Sequence, residues 1–328
     1  MQTMEPEGQL RALREAAVMV DVGHWEAMSA TGADRVSFLH RMTTGSVQGI
    51  GVGQGGHSLF LDSKGHVLSE LRLFARPQDF LVLVPVGLAQ STAAGLNRYA
   101  VMDDFAAAAQ PEFALLGVHG PQAEAALASV GVQVPAGFAQ AAPWSHAEVT
   151  GPAGALWLVR GRTGGDDGLW LGGSRAMVGA VAAALEPRIA RLDPELAQGL
   201  RIQAGEPRFG AEVVPGAFPV EVGLGAAIDH GKGCYLGQET IVRMRDRGLV
   251  RRRLTGLRLL GEGGPAPGDD VGGAAGAGKV TSVGRLPGQP ALALALLSSA
   301  VPVGSEVLIR GGGSGLPARV VFESPPWK

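Results

Sequence analysis

Beyond Arg253 no segment of the chain carries helical periodicity, and that loss is the strongest constraint on its fold. Leu254–Leu260, Gly278–Val283, Ala291–Leu297, Glu306–Ile309 and Ala318–Phe322 each have the length and apolar content of a strand. Glycine-rich stretches separate them, notably Gly261–Gly278 and Gly311–Pro317, which read as flexible surface loops because glycine packs nothing and admits positive φ. Short strands joined by such loops predict a small β-barrel. Upstream the pattern is mixed. Ser58–Leu61, Val67–Ala75 and Phe80–Val84 read as strands and residues 87–99 as a helix. Phe113–Val118 is a further strand and Pro121–Val130 a helix with proline in its first turn. Strands at 155–160 and 168–172 and a helix at Arg175–Leu185 follow. This order predicts an α+β fold with ferredoxin-like layers. Residues 1–250 would form it as two interleaved subdomains with boundaries near 50 and 110, and residues 251–328 would form the barrel.

Composition narrows the function classes. The chain has 328 residues, 46% of them hydrophobic and 18% charged, as in a soluble globular protein with room for two or three domains. A formal net charge of −2 gives no global attraction to nucleic acid or membrane, so any anion site must be local. The N-terminus carries early acids and no apolar segment of a secretory signal, and no run approaches the roughly 20 apolar residues that span a bilayer. With a single cysteine, these features point to a reducing cytoplasm.

That cysteine lies in Lys232-Gly233-Cys234-Tyr235-Leu236-Gly237-Gln238-Glu239. A lone thiol makes no internal disulfide and cannot complete a four-cysteine metal site. Free cysteine is usually a small buried hydrophobe, but here it sits between glycines, beside a lysine and ahead of an arginine run. Nearby positive charge favours a reactive thiolate. From Lys232 to Arg258 there are eight Lys/Arg and two Asp/Glu, densest at Arg243, Arg245, Arg247, Arg251, Arg252 and Arg253. Guanidinium groups suit carboxylates and phosphates. No aromatic residue interleaves with the arginines from 243 to 253 for base stacking, which argues against a nucleic-acid partner.

Other motifs fail on context. Gly51-Val52-Gly53-Gln54-Gly55-Gly56 fits the dinucleotide pattern, but a strand and not a helix follows it. Gly225 through Lys232 has the wrong spacing for a phosphate loop, and Gly233 has no hydroxyl for Mg²⁺. Asp229-His230 reads as a turn, since two adjacent side chains rarely hold a metal ion unaided.

The octapeptide resembles the signature of the folate-binding YgfZ family, relatives of the glycine-cleavage T-protein that include a mitochondrial iron–sulfur assembly factor. The similarity runs from about residue 20 to the C-terminus, through Ser29–Arg35, Phe38-Leu39-His40, Leu61–His66, Leu71–Phe74 and Arg201–Glu221. It implies a T-protein-like, three-domain cloverleaf around a folate channel, with tetrahydrofolate as cofactor. Glu221, in Pro219-Val220-Glu221, would read the donor edge of the pterin. Lys232, Tyr235, Gln238, Arg243, Arg245 and Arg251 would contribute to the folate site, and Cys234 would be the chemically active group. The implied partners are folate and iron–sulfur proteins or their assembly factors, with neither nucleic acid nor membrane. Two other roles stay open, a folate-dependent aminomethyl- or methyltransferase and a non-catalytic folate sensor. Where the T-protein carries paired aspartates, this chain has Ser69 and Glu70, which face opposite sides if they lie in a strand. That departure puts glycine-cleavage activity in doubt.

Overall fold

The structure, a computed structural model, describes residues 4–272, 278–310 and 315–324. The chain divides into two compact units. The first takes residues 1–60, 68–193 and 229–236, and the second takes 61–67, 194–228 and 237–328. The cut therefore differs from the expected one at residue 250: the stretches 194–228 and 237–250 group with the barrel.

In the first unit, helix α1 (Pro6–Glu15) leads to β1 (Val18–Val20), β2 (Trp25–Thr31) and α2 (Arg35–Met42). Strands β3 (Gly55–Leu61), β4 (Val67–Ala75) and β5 (Phe80–Pro85) follow, then α3 (Ala89–Tyr99), β6 (Ala106–Ala109) and β7 (Phe113–His119). Helix α4 (Ala123–Ala128) precedes a meander of β8 (His146–Gly151), β9 (Gly154–Thr163) and β10 (Asp166–Ser174), and α5 (Arg175–Leu185) and β11 (Ala190–Arg191) end the unit. Two sheets result, ordered β3-β4-β5-β2-β6 and β11-β1-β7-β10-β9-β8. The chain passes between them after Val20 and again after Ala109.

Period-2 alternation explains how both faces of each sheet are buried. In β5, Val82 and Val84 join Phe38, Leu39, Ala93 and Leu96 of α2 and α3 in one core. Leu81 and Leu83 point the other way, into a layer shared with Trp157, Val159 and Trp170 of the second sheet. Leu158, Leu169 and Leu171 alternate with those residues and pack on Leu127 of α4 and on Val178, Val181 and Leu185 of α5. The unit is thus a helix, sheet, sheet, helix stack. Gly161 belongs to the layer between the sheets, where a Cβ would meet the Trp170 indole at 2.5 Å, so a side chain there would displace the ring.

In the second unit, α6 (Pro194–Gln203) and α7 (Gln238–Asp246) accompany six strands: β12 (Arg252–Leu259), β13 (Asp270–Gly272), β14 (Gly278–Gly284), β15 (Leu292–Ser298), β16 (Glu306–Arg310) and β17 (Leu316–Glu323). They close as a barrel in the order β12-β15-β14-β13-β16-β17. Along β15, Ala293, Ala295 and Leu297 fill the interior with Leu257, Val271, Ile309 and Val320. Leu292 and Leu294 face outward onto Ile202 of α6. That outward packing is the physical reason residues well before 250 belong with the barrel. Strand β13 corrects the expectation of a loop across Gly261–Gly278. Its Val271 is 1% exposed and its backbone pairs with both β14 and β16. Residues 273–277 of that expected loop, and 311–314 of the other, lie outside the described residues.

Candidate functional site

The octapeptide spans the division between the units, with Lys232 to Leu236 in the first and Gly237 onward in the second. In the first unit it is pinned from within. Lys232 Nζ donates to the carbonyls of His40, Thr43 (2.6 Å) and Gly45 (2.9 Å). These carbonyls lie at and just past the end of α2, where a helix leaves its last acceptors unsatisfied and favours a cation. Lys232 therefore closes a helix that begins almost 200 residues earlier. All three ammonium protons are committed to the backbone, which corrects its expected place among the folate ligands. Burial pushes its pKa down to about 8 against the opposing pull of Asp229. Burial and the Lys232 charge likewise lower His40. Tyr235 is buried, its ring 5.5 Å from the Lys232 ammonium, and Leu236 packs against the core beneath the first sheet. Cys234, between these anchored neighbours, is exposed.

In the second unit Gly237 has φ +81° and precedes α7, and a Cβ there would lie 2.4 Å from the Asp62 carbonyl oxygen. Its role is conformation and close approach. At Gly233, by contrast, a Cβ would meet nothing within 4 Å. Gln238 opens α7 and is half-buried. Arg243 and Arg245 sit in its last turn, where cations offset the helix dipole. Arg243 pairs with Glu239 at 2.5 Å and Arg245 with Asp246 at 2.9 Å. The arginine run is thus less of a free cationic patch than its sequence suggests. Arg247 and Arg251 are exposed and enter none of the ion pairs found among the described residues.

Glu221 is 6% exposed, and its Oε2 accepts from Arg252 at 3.0 Å. Its carbonyl accepts from Leu254 N–H at 2.8 Å, so the start of β12 fixes the residue's backbone as well. Arg253 pairs with Glu323 at 2.7 Å. Glu221 and the arginines therefore share one unit, whereas Cys234, Lys232 and Tyr235 belong to the other.

Sequence reasoning left the surroundings of Glu70 undefined. In β4, Leu71 and Leu73 face the helices, and Ser69 shares their parity and is fully buried. Glu70 and Arg72 share the parity of Phe74, which faces the layer between the sheets. The Glu70 carboxylate is 2.8 Å from Arg72 Nη2 and 2.8 Å from His57 Nε2. Arg72 lies over the rings of Trp144 (4.6 Å) and Trp25 (5.8 Å). Burial by itself would raise the Glu70 pKa, but Arg72, His57 and His24 outweigh it and hold it at about 2. Both members of the Ser69-Glu70 pair are enclosed, and the only carboxylate of the two is locked in an ion pair. Among the described residues no group of three or more His, Cys, Asp and Glu side chains could hold a metal ion.

Residues 5–232 match the GCVT N-terminal domain family, and the chain belongs to that family. Two of its relatives are the tRNA-modifying protein YgfZ of Yersinia enterocolitica and the aminomethyltransferase of Symbiobacterium thermophilum. The first is 28% identical over 260 residues, covering 77% of this chain and 74% of the relative. The second is 30% identical over 338 residues, covering 96% and 87%. The fold is that of the glycine cleavage system aminomethyltransferase T of Bartonella henselae, at a TM-score of 0.83, with 22% identity, 100% of this chain and 93% of that one covered. No helix among the described residues is long and apolar enough to cross a membrane.

Proposed function

We propose that this protein binds tetrahydrofolate and supports the assembly or repair of iron–sulfur enzymes in the cytoplasm, with Cys234 as its reactive group. The observation that carries the reading is Glu221, a carboxylate 6% exposed that Arg252 holds by one oxygen. A carboxylate has room for several donors, so Glu221 can accept the parallel N–H groups of an aminopyrimidine while Arg252 keeps it in place. Arg251, exposed beside it in sequence, would take a tail carboxylate, with Arg243 and Arg245 contributing from their ion pairs with acids. Bound tetrahydrofolate would supply a one-carbon acceptor. The chain's own contribution is to orient the pterin at Glu221 and to present Cys234 on a loop fixed by Lys232. We read the tRNA link in the name of the Yersinia relatives as passing through a client iron–sulfur enzyme, because most of the arginine run is ion-paired and the net charge is −2.

Calorimetry tests the folate half. Losing a hydrogen-bonded charged contact costs about 1.5–3 kcal/mol, so Glu221→Ala should bind tetrahydrofolate roughly ten- to hundredfold more weakly. Equal affinities would remove Glu221 from the site, and no binding by the wild type would overturn the reading. Cys234 should alkylate with iodoacetamide without denaturant, and Cys234→Ala as the only copy should depress iron–sulfur enzyme activities in cells. A thiol labelled only after unfolding, or unchanged activities, would remove it as the reactive group. The aminomethyltransferase reading is favoured by the 30% identity to the Symbiobacterium enzyme. It would displace ours if the protein released ammonia from an aminomethyl-loaded carrier protein with tetrahydrofolate present.

A further inference from the structure

The second unit holds a cavity of about 980 Å³ between α6, the Arg208–Val214 stretch and barrel strands β13 and β14. This is the size of sites that take organic ligands, which typically measure about 300–1,000 Å³. Four cations line it, Arg201, Arg208, Arg252 and Lys279, against one acid, Asp270. They are held very differently. Arg201 is 4% exposed and fixed by Glu212 (2.9 Å) and by the Ser282 hydroxyl (2.7 Å), so it forms a rigid wall whose charge is already compensated. Lys279 pairs with Asp270 at 2.8 Å, but the two side chains are 66% and 71% exposed. Arg252 meets Glu221 at 3.0 Å with its own side chain 55% exposed. The Lys279–Asp270 pair is solvated on both sides and holds its partners weakly, so Lys279 can turn to another anion at little cost, whereas Arg252 stays on the buried Glu221 carboxylate and can add a second acceptor from its exposed side. Val214, 43% exposed, lies on the same wall as the half-buried Leu296.

We propose that this cavity is a binding site for an organic oxyanion, an apolar ring or chain carrying carboxylate or phosphate groups. Arg208, Arg252 and Lys279 take the charged end, and the Val214 wall takes the apolar body. The site requires Arg208 and Lys279, which the folate reading does not use, so it can fail or succeed independently of that reading.

The test is calorimetric titration of the full chain with phenyl phosphate, benzene-1,3,5-tricarboxylate and inorganic phosphate, with Glu221→Ala as the control that separates this site from folate binding. At least one aryl anion should bind about tenfold more tightly than inorganic phosphate, since only it buries apolar surface. Which aryl anion binds better assigns the site to phosphate or to carboxylate chemistry. Glu221→Ala, which releases Arg252 from its partner, should bind the aryl anion at least as tightly as the wild type while its tetrahydrofolate affinity falls. Lys279→Glu, a charge reversal at a side chain exposed enough to leave folding intact, should weaken it about tenfold. Arg208→Ala should do the same. No aryl binding at millimolar concentration, inorganic phosphate binding as tightly as both aryl anions, or Lys279→Glu binding as tightly as the wild type would each overturn the proposal.

Discussion

Replacing Glu70 with glutamine removes a charge from between two sheets and leaves its partner behind. The carboxylate is 8% exposed and lies 2.8 Å from both Arg72 and His57. Its pKa in the folded protein is about 2, below the ordinary 4.5. A carboxylate depressed on folding contributes stability that is fully present above its unfolded value and is lost as pH falls toward its folded one. The window is therefore about pH 4.5 down to 2, and a difference of about 2.5 units corresponds to about 3 kcal/mol. In Glu70→Gln the Arg72 guanidinium, 18% exposed, keeps the Trp144 and Trp25 rings but loses its counter-charge. Breaking a buried pair from one side typically costs about 3–5 kcal/mol, and the amide oxygen that still accepts a hydrogen bond keeps the expected loss near about 3 kcal/mol at pH 7.

Urea unfolding followed by tryptophan fluorescence suits this test, because Trp25, Trp144, Trp157 and Trp170 all belong to the first unit. The wild type and the variant should differ most at neutral pH and converge as pH falls from about 4.5 to about 2, where the folded carboxylate protonates. Other acids titrate in both proteins and cancel in the difference. A gap under about 1 kcal/mol at pH 7, or one that stays constant with pH, would refute the claim that Glu70 is charged and load-sharing with Arg72.

Lys232→Met should unfasten the end of α2 and lower the stability of the first unit by about 2 kcal/mol, as three backbone acceptors lose their donor. Since the lysine pKa falls to about 8 from 10.5, the wild type should gain stability as pH rises through that interval and the variant should not. Thermal unfolding from pH 7 to pH 10.5 checks both, and parallel curves would refute the second. Arg201→Met should strand Glu212, which is fully buried, and cost about 3–5 kcal/mol in denaturant unfolding. A loss below about 1 kcal/mol would show that the Arg201, Glu212 and Ser282 network contributes little to holding α6 on the barrel.

Where the fold was legible, the signal was local. Apolar segments of strand length mark β5, β12 and β15, and in the fold their side chains sort to two buried faces. Where the signal was weak, tertiary pairing decided. Ala106–Ala109 is four alanines, the best helix formers, yet it is an edge strand because its backbone pairs with β2. Strand β13 is three residues in a glycine-rich stretch, and only its two neighbours in the barrel make it a strand. The arginine run divides in the same way. The Arg243–Glu239 pair has i, i+4 spacing on one helix and could have been read from the sequence. The Arg252–Glu221 and Arg253–Glu323 pairs span 31 and 70 positions, which no local pattern reveals.

The octapeptide shows what such non-local contacts do to a motif. Its lysine is adjacent to the cysteine in sequence, which suggests a cation serving the thiol, but its three protons go to the end of α2. Its second glycine is left-handed and in close contact with the Asp62 carbonyl. Tyr235 is buried and Leu236 packs on a core, while Glu239 pairs with Arg243. Each of these positions has a structural reason that would hold if the cysteine were absent. Cys234 is the exception: it is exposed, and nothing in its role as packing or as a cap accounts for it. The motif is then a clamp that displays one thiol. Any chemistry at that thiol depends on what approaches it from solvent, since the neighbouring ammonium is already engaged.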